Sequence, residues 1–282
     1  MHRREFLIGL PALGQLLTGC RAGVKYYTVT NQLISQGKPE EAKLLLEAVE
    51  SLKLSDTTIS FTLKDSSRVR FYTQKGCGVV LPNGYYITGY HVATVNSHVP
   101  IPNITVSYGL FNSDSIVPPS ATIERSFNKI AEETSIVNPR TRKSEALERI
   151  VTDMGNEVAL FRIPENTRGD YMALPLELGE SKHLKAGERL YVAGIPPNEM
   201  PFIRKAQFTT YGILPYIKKE TGENFAIVPN NFFVAEGKFN RGDSGALVIG
   251  QDMKVYGLVV GMVVGLNLGI IAKIDSFKPY LT

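Results

Sequence analysis

The 282-residue sequence has no tryptophan and only two cysteines, Cys20 and Cys77. One disulfide is the most they can form, and metal sites built on paired CxxC motifs are excluded. The histidines are His2, His91, His98 and His183, and none stands at the HExxH spacing that sets two imidazoles on one helix face. No metal or other cofactor is expected. Excess charge of one sign is also missing, since 31 basic and 27 acidic residues leave a net charge of +4. The densest basic cluster, Arg140, Arg142, Lys143 and Arg149, lies beside Glu145 and Glu148. It reads as a solvated face, so no nucleic-acid partner is expected.

Long hydrophobic runs are scarce. Phe6 to Leu17 is uncharged and follows Arg3-Arg4. As a helix this run rises only about 18 Å, short of a hydrocarbon core of about 30 Å, and it reads as a signal peptide. Arg3-Arg4-Glu5-Phe6-Leu7 resembles a twin-arginine export motif, and Leu17-Thr18-Gly19-Cys20 resembles a bacterial lipobox. The expectation is cleavage before Cys20, lipidation of its thiol, and an exported protein held on the cell-envelope membrane by that anchor. The other uncharged run, Val255 to Ala272, contains Gly257, Gly261, Gly265 and Gly269, which favour two buried strands over a membrane helix.

After residues 1–19 as signal, residues 20–56 read as a membrane-proximal helical spacer. Lys25 to Gly37 is weakly helical. Pro39-Glu40-Glu41 opens a clear helix, with an apolar stripe of Ala42, Leu44, Leu45, Leu46, Val49 and Leu52. From residue 57 to 282 the texture becomes short β-rich runs, among them Thr58–Thr62, Val69–Tyr72, Val79–Leu81, Tyr85–Thr88, Val158–Ile163, Arg189–Ala193, Ala206–Tyr211 and Ala246–Ile249. Pro82-Asn83-Gly84 signals a tight hairpin. Ser144 to Ile150 is read as a short helix, while residues 96–152 otherwise carry no legible motif. Many short strands without alternating long helices imply an all-β barrel or sandwich.

Chemistry concentrates in Arg241-Gly242-Asp243-Ser244-Gly245. Glycines around a serine let the backbone turn sharply and present the hydroxyl. The amides of Gly242 and Ser244 are then placed to stabilise an oxyanion. Upstream, Ile87-Thr88-Gly89-Tyr90-His91-Val92 sets a histidine just past a strand, the position of a general base.

Four blocks in order, Gly76–Val80, Ile87–Val92, Glu157–Ile163 and Gly242–Gly245, resemble those of the trypsin-like serine peptidases, particularly the Deg/HtrA and glutamyl-endopeptidase branch. Gly257–Gly261 and Gly269–Ala272 extend the resemblance, which runs from about residue 57 to 280. It implies two six-stranded antiparallel β-barrels and a serine endopeptidase acting on peptide or protein substrates. The implied catalytic residues are Ser244 as nucleophile, His91 as base and Glu157 as acid; an inactive peptide-binding scaffold is the alternative. Glutamate replaces the family's usual aspartate, and Asp153 is the rival acid, displaced about 13 Å along an extended strand. By the same register Lys238, Phe239, Val260 and Met262 line the substrate pocket. Cleavage after small or medium apolar residues is expected, with cleavage after Glu or Asp if Lys238 turns inward. Cys77 is expected to be a buried packing thiol.

Overall fold

Two helices precede the sheets: α1 (Tyr26–Ser35) and α2 (Pro39–Ser51). Gly37 turns the chain between them at φ 78°, a value glycine adopts at little cost. Pro39, Glu40 and Glu41 occupy the first turn of α2, where a missing amide costs nothing and acids meet the positive end of the helix. Ala42, Leu45, Ala48 and Val49 recur at helical spacing and are buried. They join Val29 and Leu33 of α1 in one apolar cluster with Tyr191, Ala193 and Ile203 from the sheets. The helices expected as a spacer thus pack onto the body. α2 also runs directly into the first strand at Leu52, five residues ahead of the expected boundary.

The computed structural model describes residues 26–63, 69–94, 127–153, 155–197, 200–211, 231–240, 242–263 and 267–280. The first sheet holds β1 (Leu52–Leu63), β2 (Val69–Val80), β3 (Tyr85–Gly89), β4 (Phe127–Val137), β5 (Ser144–Ala146), β6 (Glu148–Asp153) and β7 (Val158–Arg162), in the order β5-β4-β1-β2-β3-β7-β6. The second is a closed barrel of β8 (Arg189–Gly194), β9 (Phe202–Tyr211), β10 (Phe232–Gly237), β11 (Leu247–Gly250), β12 (Val255–Val263) and β13 (Leu268–Lys273). The protein is therefore mostly β with two barrel-like sheets, and the second has the expected six strands. The first has seven and is open among the described residues. Its two edge strands are nonetheless halves of one bent segment. Leu147, between β5 and β6, donates its amide to Thr134 O on β4 at 2.8 Å, so the sheet curls almost onto itself.

This bend replaces the helix expected over Ser144–Ile150. The apolar positions there suit one helix face, but the backbone pairs instead with β4 on one side and β7 on the other, and tertiary pairing overrides a weak local preference. The uncharged run at 255–272 forms the antiparallel pair β12–β13, with Met262 opposite Gly269. Pro82–Gly84 makes the tight turn between β2 and β3, closed by Leu81 N–H to Tyr85 O at 2.8 Å.

Strand alternation sorts the core into three layers. Ala159 and Phe161 of β7 point into the first barrel with Val80, Tyr86 and Ile163. Leu190 and Val192 of β8 and Val248 of β11 fill the second with Phe208, Phe233 and Ile271. The intervening positions, Val158, Leu160, Tyr191, Ala193, Leu247 and Ile249, form the layer between the barrels together with α1 and α2. Both faces of these strands are buried, which explains their nearly continuous apolar runs. Leu45 is fully buried in that layer. Leu45→Ala is expected to cost about 2–5 kcal/mol, cavity and transfer losses together, in chemical denaturation. A detached helical spacer would give no change.

Candidate active site

The histidine side of the site is set by strand register. Gly89, the last residue of β3, pairs with Val158, the first of β7. The chain then turns into the single-turn helix α3 (Tyr90–Ala93), and Tyr90 N–H donates to Glu157 O at 2.9 Å. His91 and Glu157 are brought side by side in this way. Glu157 Oε2 lies 3.1 Å from His91 Nδ1 and also accepts the His91 backbone N–H at 3.3 Å. A carboxylate has no proton to give, so Nδ1 carries the hydrogen and Nε2 is left as the acceptor. That nitrogen is 2.8 Å from Ser244 Oγ. His91 and Glu157 are both partly exposed, so the cluster opens to solvent.

Glu157 reaches the imidazole from an unusual backbone, with φ 56°. The left-handed region costs a side-chain-bearing residue about 1–2 kcal/mol. From this turn before β7 the glutamate side chain reaches the ring. Asp153, the rival acid, is engaged elsewhere. It sits on β6 opposite Val158 and accepts Asn156 N–H at 3.0 Å, holding the turn that carries Glu157.

The serine loop is held from below. Asp243 is buried and accepts Arg204 Nη1–H at 2.6 Å and Asn240 N–H at 2.8 Å through Oδ2. Arg204 also donates to Lys238 O at 3.2 Å, and its guanidinium lies 3.6 Å from the Phe202 ring centroid. The serine loop in the sequence implies a partner for Asp243 but does not point to Arg204. The signal lies in β9, where alternation puts residue 204 on the same face as buried Phe202, Ala206 and Phe208. An arginine on an inward face calls for a buried acid. Around Ser244, the amides of Asp243, Gly245 and Ala246 are committed to Asn240 O, Val259 O and Asp243 O. Those of Gly242 and Ser244 have no backbone acceptor among the described residues, as an oxyanion-binding pair requires.

The pocket residues divide. Lys238 is exposed, so its ammonium is not a buried pocket floor, whereas Phe239 is buried. A Cβ added to Gly269 would meet the Phe239 ring at 2.4 Å, which places the ring flat against β13. Val260 and Met262 are half-buried on the end of β12. Cys77 is a free, fully buried thiol whose pKa burial pushes up to about 12, consistent with a packing role and not a nucleophilic one. Cys20 lies outside the described residues, and among those residues no His, Cys, Asp and Glu group is arranged to hold a metal ion.

Two facing β-barrel sheets with serine, histidine and carboxylate in hydrogen-bond sequence define the trypsin-like class. The family described as Trypsin matches residues 57–281, and the chain belongs to it. Among solved structures it is similar to the active form of the Rv3671c protease from M. tuberculosis, at 15% identity and a TM-score of 0.50, covering 84% of this chain and 82% of that one. It is also similar to the HtrA-type protease AlgW. The decapeptide-bound form gives 13% identity and a TM-score of 0.51, and the tripeptide-bound form 14% and 0.50, each covering 84% of this chain. This chain spans 64% and 60% of those two AlgW chains. At such identities the likeness speaks for the fold alone. No curated protein matches the sequence.

Removing Arg204 would take the guanidinium away from the buried Asp243 carboxylate. Arg204→Ala is expected to destabilise the protein by about 3–5 kcal/mol in a denaturant titration. An unchanged midpoint would show that the pair does not hold the loop.

Proposed function

We propose that the protein is a serine endopeptidase that cleaves peptide bonds through an acyl-enzyme on Ser244. The observation that supports it best is the continuous sequence Glu157–His91–Ser244, at 3.1 and 2.8 Å. In this reading His91 Nε2 takes the Ser244 hydroxyl proton as Oγ bonds to the scissile carbonyl carbon. The carbonyl π electrons move onto oxygen, where the Gly242 and Ser244 amides receive the charge. Glu157 keeps the imidazole in the tautomer with hydrogen on Nδ1 and stabilises its cation. The intermediate collapses, the C–N bond breaks, and the departing amine takes the proton from Nε2. Water then repeats the sequence in reverse and frees Ser244.

The substrate chain is proposed to lie along residues 260–263 of β12. Residues 261–263 pair with β13 on one side and with no other described strand, so an extended peptide can add to the free edge. The pocket beside it favours a small or medium apolar side chain before the cut. Phe239 fills its floor against Gly269, while the Lys238 ammonium is directed to solvent. A cation buried there would cost several kcal/mol, which is why cleavage after acidic residues is the weaker reading.

Ser244→Ala is expected to abolish peptide hydrolysis with an unchanged melting temperature. Glu157→Gln should lower turnover by about 10⁴-fold through the wrong tautomer. Glu157→Asp, one methylene short, should lower it by about 100-fold. Asp153→Asn should stay near wild type, and a reversal between Asp153 and Glu157 would reassign the acid.

The protein is further proposed to be exported and anchored through a lipid on Cys20, on the strength of Leu17-Thr18-Gly19-Cys20 behind a short apolar run. Palmitate labelling and membrane fractionation test this. Cys20→Ser is expected to lose the label and move to the soluble fraction, and a wild type that takes no label would overturn the anchor.

A further inference from the structure

Arg149 belongs in sequence to a basic cluster that reads as solvated, yet its side chain is folded inward. It lies on β6 opposite Phe161 of β7, immediately before the irregularity at residue 150, and bulges of this kind re-aim side chains. Its guanidinium is 5.8 Å from the Phe161 ring centroid, at the end of the first barrel. Nη1 meets Glu132 Oε2 at 2.6 Å, and that glutamate side chain is only 4% exposed. Nη2 donates to Ala93 O at 3.2 Å.

Ala93 is the last residue of α3, the single turn that carries His91. One end of this turn is held by Glu157, through Tyr90 N–H to its carbonyl and His91 N–H to its carboxylate. The other end is held by Arg149. A single turn has too few internal hydrogen bonds to be rigid alone, and these grips add to the packing of its buried Val92 and Ala93. Arg149 serves here as a fork, with one nitrogen for the Glu132 carboxylate and another for the Ala93 carbonyl. A lysine, with one nitrogen, cannot span both partners in that geometry.

We propose that Arg149, anchored by Glu132, is a positioning residue for His91. It clamps the far end of the histidine-bearing turn and so sets the distance from Nε2 to Ser244. The proposal rests on the hydrolytic reading above. It separates from mere structural support in turnover per folded molecule: a pair that is only structural would change stability alone, whereas a displacement of about 1 Å at a reacting centre costs about 100-fold in rate.

The test is kcat and KM for a peptide substrate, alongside melting temperature and the rate of labelling by a fluorophosphonate, for wild type, Arg149→Lys and Glu132→Gln. Arg149→Lys is expected to lower kcat and the labelling rate between about tenfold and 100-fold, with KM nearly unchanged, because α3 moves the base and not the substrate strand. Glu132→Gln, which keeps an acceptor oxygen but loses the charge, should lower the melting temperature and shift kcat per folded molecule in the same direction by a smaller factor. It serves as the readout if the lysine variant does not fold. Wild-type kcat in a folded Arg149→Lys protein, or a loss of melting temperature with turnover per folded molecule intact, would overturn the proposal. A wild type that is not labelled at all would instead overturn the hydrolytic reading on which it rests.

Discussion

Ser244 and His91 belong to different sheets, and a main-chain contact joins those sheets. Cys77 N–H on β2 donates to Ser244 O at 3.1 Å. Next to it, a Cβ placed on Gly245 would lie 1.6 Å from Cys77 O, at a backbone φ of 86°. Only glycine tolerates both the approach and the angle. The carbonyl of Cys77 is further engaged by Thr88 Oγ1–H at 2.5 Å, from the strand that leads to His91. β2 therefore touches the serine loop and the histidine strand at one residue. The 2.8 Å spacing between His91 Nε2 and Ser244 Oγ is a consequence of this joint between the sheets.

Around the joint, each of these two side chains is held by a device on its own sheet. Asp243 and Arg204 fix the serine loop from the second barrel. On the first barrel, Glu157 and Arg149 hold opposite ends of the turn bearing His91. The left-handed backbone of Glu157 is the one strained element among them. It stands where the carboxylate must reach the imidazole, as strain at a functional position often does. The turn that carries it is in turn held by Asp153 through the Asn156 amide.

Much of this architecture is legible in the amino-acid sequence. The Gly-Asp-Ser-Gly loop, the strand-then-histidine block and the acid-led strand at residue 157 are local patterns, and local patterns survive in a single sequence. Strand alternation is equally readable, and two buried faces produce the continuous apolar runs of β7, β8 and β11. Features fixed by distant partners are not legible in this way. The bend at Leu147 reads as helical because its apolar spacing fits a helix, and only pairing with β4 and β7 makes it a strand. Arg149 reads as solvated because its charged neighbours are near in sequence, while Glu132 and the Ala93 carbonyl come from β4 and α3. The helices at 26–51 read as a spacer because their stripe does not say what covers it; the layer between the barrels does.

The central claim is that Ser244 is an activated nucleophile. A fluorophosphonate reports this directly, since the serine oxygen must attack phosphorus and expel fluoride. Intact-mass measurement of the folded protein is expected to show one adduct, mapped to the peptide containing Ser244. Folded protein that stays at its unmodified mass under excess reagent would contradict the account.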